Sequence, residues 1–198
     1  FLSVEVAKII EELGLGLDVC TGGELAVARA AKFPAERLEM HGNNKSELEI
    51  SEALNYGVAK IVVDSITEIK RVARLAKERK KVQEILIRLT PGVEAHTHEY
   101  ISTAHEDVKF GFSIASGAAW EAITEIAKYE SLRLMGVHAH IGSQIFNEEA
   151  FVETATRLIG FMGRYAKAYK RELPELNLGG GFGIAYTESD NPISAEKM

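Results

Sequence analysis

With 198 residues, 46% of them apolar and 26% charged, the chain can build a globular core of roughly one domain, and no run approaches the roughly 18 apolar residues of a membrane span. A net charge of −6, with residues 77–81 as the densest basic patch, argues against a nucleic-acid surface. The single cysteine, Cys20, excludes an internal disulfide and fits a reducing compartment, where it reads as a small buried filler rather than a nucleophile.

Short β-branched runs alternate with helical periodicity along the chain. Val6, Ile9, Ile10 and Leu13 keep helical spacing, and residues 15–19 read as a first strand. Further strands are expected at 37–40, 60–63, 84–89, 132–140 and 175–178. Ile69, Val72, Ala73 and Ala76 mark one intervening helix. Phe151, Ala155, Leu158, Ile159 and Met162 mark a longer one, with Asn147 as its N-cap. Thr21 to Glu24, Ser46 to Glu49 and Ser65 to Glu68 each read as a capping box. Three such tetrads in phase with the alternation imply a parallel α/β sheet, either barrel or doubly wound.

The polar residues favour the barrel. Asp18, His41, Asn43, Asn44, Lys45, Asp64, Arg88, His140 and Ser143 all fall at C-terminal strand ends, the catalytic edge of a β/α barrel. A doubly wound sheet would gather them at one switch point, and the chain has no GxGxxG fingerprint. The irregular stretch 90–113, with His96, His98, His105 and Lys109, reads as a functional loop over the barrel mouth.

Two strand ends carry the chemistry. In His138-Ala139-His140-Ile141-Gly142-Ser143-Gln144 the two imidazoles stand at i and i+2, which share a face in a strand, and a Gly-Ser turn follows at once. The pair has three readings: a hydrogen-bonded wall, a metal site of a barrel hydrolase, or a platform for an aromatic cofactor whose phosphate takes donors from Gly142 and Ser143. Gly179, Gly180 and Gly181 exceed what a tight strand exit needs and offer bare N–H groups to an anion. Arg88, inside an apolar run, needs a partner and suggests a site role. Asp64 is a further candidate cap for the helix that follows it.

Together, Leu17-Asp18-Val19-Cys20-Thr21-Gly22-Gly23-Glu24-Leu25, His41-Gly42-Asn43-Asn44-Lys45-Ser46, the loop 94–111, the His138 to Gln144 run and the glycines from Gly179 to Gly183 resemble the diaminopimelate decarboxylases. These belong to the alanine-racemase-like, fold-type III group of pyridoxal-phosphate enzymes. The resemblance implies an α/β chain forming an incomplete (β/α)8 TIM-type barrel without its first and last strands. Residues 1–198 would then be a partial pyridoxal-phosphate-binding barrel domain, with the C-terminal β domain absent. It implies decarboxylation of meso-diaminopimelate to L-lysine by a cytoplasmic homodimer that takes an amino-acid substrate and engages neither nucleic acid nor membrane.

His140 would stack on the pyridoxal 5'-phosphate ring and act catalytically, with His138 nearby. Gly142, Ser143, Gly179, Gly180 and Gly181 would hold the phosphate, and Asp18 and Arg88 would line the pocket. The family's Schiff-base lysine would lie just upstream of Phe1, and its Glu-Pro-Gly-Arg segment beyond Met198, which would leave this chain inactive alone. Asn177 stands where the family often has Asp. The rival readings are a metal-dependent barrel hydrolase using His138 and His140, and a non-catalytic homologue.

Overall fold

A computed structural model describes residues 2–93, 110–146, 148–188, 190–192 and 194. The loop candidates His96, His98, His105 and Lys109, and the N-cap candidate Asn147, lie outside the described residues. The chain packs as two compact units, Phe1–Ile87 with Trp120–Met135, and Arg88–Ala119 with Gly136–Met198.

In the first unit, α1 (Val4–Glu12) leads into β1 (Leu17–Val19), then α2 (Gly22–Ala30), β2 (Leu38–Met40), α3 (Glu47–Tyr56), β3 (Lys60–Val63), α4 (Ile66–Glu78) and β4 (Gln83–Thr90). β1 pairs in parallel with β2, β2 with β3 and β3 with β4. Each parallel step is bridged by a helix, as such connections require. Val19, Leu38, Met40, Ile61, Val63, Ile85, Leu86 and Ile87 are all fully buried. Strands covered on both faces need such continuous apolar runs, each large side chain contributing about 1.5–3 kcal/mol.

The chain leaves β4, forms β5 (Phe112–Ser113) and α5 (Ala118–Ile126), and returns as β6 (Leu132–His138), next to β4 in the strand order. Then come α6 (Glu148–Tyr169) and β7 (Glu175–Asn177). In the second unit β5 lies parallel to the end of β4, with Leu89 opposite Phe112, and β7 lies parallel to the end of β6, with His138 opposite Asn177. Gly136 permits that last pairing, because a β-carbon there would collide with the Glu175 carbonyl.

The three expected capping boxes resolve into two devices. Ser46 and Glu49 form the reciprocal box, each side chain meeting the other's backbone N–H. Thr21 and Ser65 do cap their helices, accepting from the Glu24 and Glu68 N–H groups. Their glutamates, however, reach one residue further back. Glu24 accepts from the Cys20 N–H at 2.7 Å and Glu68 from the Asp64 N–H at 2.9 Å. Asp64 is therefore not the cap of α4; Ser65 is. Cys20 is exposed rather than buried, because β1 ends at Val19 and the chain turns outward there.

Candidate functional site

The second unit gathers most of the candidate residues. β6 stops at His138 instead of running to 140, and the Ala139 N–H still donates to the Asn177 carbonyl at 3.0 Å. The two histidines consequently part: His138 is 4% exposed, whereas His140, beyond the strand, is exposed. Strand alternation is enforced only within the ladder, which here ends between the two.

His140 meets the glycine turn that follows β7. A β-carbon at position 179 would sit 2.6 Å from the Ala139 carbonyl and 3.2 Å from His140 Nδ1. One at position 181 would strike the Gly142 carbonyl and lie 3.5 Å from His140 Cε1. Both glycines also have left-handed backbones, φ +71° and +102°, which side-chain-bearing residues adopt at a cost of about 1–2 kcal/mol. Gly179 and Gly181 are thus required by the protein's own packing. Gly180 is not: its φ lies outside that range, and among the described residues no atom beyond its own chain neighbours lies within 4 Å of where its β-carbon would be. A glycine there leaves room for something beyond the chain itself.

Asn177 gains a role the sequence left open. Its side-chain Oδ1 accepts from the Gly179 N–H at 2.8 Å, setting the first bend of the turn. The far side is fastened by a parallel bridge between Ile145 and Phe182. Ile145 N–H donates to the Gly181 carbonyl and Gly183 N–H to the Ile145 carbonyl, each at 2.9 Å. Gln144, quoted in the motif but assigned nothing, completes it: its carboxamide donates to the Ile184 carbonyl and accepts from the Ile184 N–H, both at 3.1 Å. Ser143, next to it, is exposed. Arg88 finds its partner in Phe110, whose ring lies 4.7 Å below the guanidinium carbon. Gly111 permits this, since a β-carbon would be 2.7 Å from the Arg88 carbonyl.

In the first unit, Asp18 lies with its side chain 61% exposed, Oδ2 3.4 Å from His41 Nε2, and Glu39 approaches the same nitrogen at 3.7 Å. Burial opposes charge on His41, but the two carboxylates outweigh it and raise its pKa to about 8. Among the described residues, this trio is the one group of metal-capable side chains with ligand atoms all within 4.8 Å. Among the described residues, His138 and His140 gather no third ligand at that distance. Lys45 is buried, its Nζ donating to the Gly42 and Val62 carbonyls at 2.5 and 2.7 Å and lying 3.1 Å from Glu68 Oε2. Burial pushes the Lys45 ammonium below its ordinary range, against the pull of Glu68, and pushes the Glu68 carboxyl up.

The site has clear relatives. The model of the pyridoxal-binding domain of pyridoxal-dependent decarboxylases matches residues 1–198. Diaminopimelate decarboxylase of Mycobacterium tuberculosis is 54% identical over 196 residues, and that of Bacillus subtilis 48% over 195. These alignments cover 97% and 98% of the chain, but only 44% of each relative, so the chain spans under half the length of the curated relatives it matches. The crystal structure of diaminopimelate decarboxylase from M. jannaschii with L-lysine superposes with a TM-score of 0.86 at 33% identity, over 96% of this chain and 44% of that one. The parallel α/β order and this likeness place the fold among incomplete TIM-type barrels. Among the described residues no helix is long and apolar enough to cross a membrane.

Proposed function

Since this chain belongs to the pyridoxal-dependent decarboxylases, as their pyridoxal-binding domain, we propose that it forms the cofactor-holding part of a diaminopimelate decarboxylase. It would act within a polypeptide of its relatives' length, in the cytoplasm and as a homodimer, with meso-diaminopimelate as substrate and L-lysine as product. The observation that carries this reading is Gly180. It stands between two glycines whose own backbones are fixed by packing, yet no contact among the described residues demands a glycine there. Room for an anion's oxygen, beside backbone N–H groups, accounts for it.

Pyridoxal 5'-phosphate fits the donor set around that room. Gly179, Gly180 and Gly181, with Gly142 and the exposed Ser143 hydroxyl, would hold its phosphate. His140 would face its ring, and His138 would support the wall beneath. Arg88, held by Phe110, would contribute a cation at the neighbouring strand end. When bound, the cofactor supplies an electron sink for the pair left behind as the substrate carboxylate departs. The chain's own residues would orient it and hold its phosphate.

The test is purification of the full-length protein without added cofactor. A visible absorbance band lost on hydroxylamine treatment, with release of carbon dioxide from meso-diaminopimelate, is the expected result. A stoichiometric metal with neither band nor gas release would overturn the proposal.

A further inference from the structure

Gln144 is the residue whose geometry asks for a reason. Its backbone is left-handed, φ +56°, although it is not glycine. Its carboxamide imitates a strand neighbour, making both an acceptor and a donor bond to the single residue Ile184. The next residue, Ile145, makes the same two-way exchange through its backbone, with Gly181 and Gly183. Two consecutive residues thus lace the turn after β6 to the segment after β7, one by side chain and one by main chain. Between the laced stretches lie Gly142, Ser143 and the three glycines.

The main-chain bridge at Ile145 ties the turn to the glycine segment at one residue only. The second fastening, one residue away, sets the angle at which the Gly142–Ser143 turn faces Gly180. The strain of a left-handed Gln is a local cost that the two carboxamide bonds offset.

We propose that Gln144 is a positioning residue that holds the two halves of the phosphate cradle in register, and so sets selectivity for the phosphorylated over the unphosphorylated cofactor. This rests on the reading of the glycine turn as a phosphate site. The residue touches no cofactor atom; it acts through Ile184 and the turn.

The experiment uses the full-length apo-protein and two probes, pyridoxal 5'-phosphate and pyridoxal, titrated by absorbance. In Gln144→Met, which keeps the length and loses both bonds, the preference for the phosphorylated probe should fall about tenfold, the equivalent of two modest hydrogen bonds. Pyridoxal affinity should stay within about twofold of wild type, well inside the effect of one hydrogen bond. A purely structural role would weaken both probes alike or shift only the melting temperature, and either result overturns the proposal. So does an unchanged preference. If Gln144→Met does not fold, Gln144→Asn, too short to reach Ile184, is read by the same ratio. A wild-type protein with no preference for the phosphorylated probe would instead sink the phosphate reading itself, before any variant is compared.

Discussion

Replacing Gly180 by alanine should separate folding from binding, which its neighbours cannot do. Among the described residues, a β-carbon at position 180 meets no atom within 4 Å beyond its own chain neighbours, and the backbone there is not left-handed. Where a native backbone suits both residues, glycine-to-alanine stabilises by about 0.4–1 kcal/mol, through a less flexible unfolded chain. The apo-protein should therefore melt at the wild-type temperature or slightly above. Yet if a phosphate oxygen uses that space, the methyl group removes it, and cofactor affinity should fall at least about tenfold, or about 1.4 kcal/mol. Gly181→Ala is the contrast: a collision with the Gly142 carbonyl at φ +102° should destabilise the apo-protein before any ligand is added. The assays are thermal melting of the full-length apo-protein and absorbance titration with pyridoxal 5'-phosphate. Wild-type affinity in Gly180→Ala would refute the reasoning, because the space would then be merely empty.

Lys45→Met leaves Glu68 buried without its cation and should cost about 3–5 kcal/mol in urea unfolding, while Lys45→Met with Glu68→Gln should recover part of that; equal losses would show that the pair is not coupled. His41, raised from 6.5 to about 8, contributes about 2 kcal/mol that is fully present below pH 6.5 and lost as pH rises through 8. Unfolding curves at pH 6 and pH 9 should show this loss in wild type and not in His41→Asn. His140→Ala should reduce cofactor retention more than His138→Ala, whereas His138→Ala, emptying a 4% exposed site, should lower the melting temperature more; equal, mild effects on retention would remove His140 from the ring face.

What the sequence disclosed was what rests on periodicity. Six strands appear within two residues of their expected bounds, because buried parallel strands need unbroken apolar runs. β5, two residues long, carries no period and was not legible; only the close approach of Gly111 to the Arg88 backbone betrays it. Cys20 was misread because it lies past the end of its strand, where burial no longer follows from spacing. The glycine turn announced itself by composition. The means of fixing it did not, since neither an Asn177 side chain turned on its own chain nor a left-handed Gln144 has a pattern in the sequence.

The backward reach of Glu24 and Glu68 has a consequence for how such a chain can change. Each carboxylate secures the main chain of the residue just past a strand, Cys20 or Asp64, and makes no use of that residue's side chain in doing so. The helix thereby fixes where the chain leaves the strand, whatever the identity of the residue there. Substitutions at 20 and 64 can then alter the chemistry offered at the rim while the frame beneath is inherited intact. A lineage built this way can exchange one reactive group for another by single steps, with the glutamate four residues downstream as the fixed point.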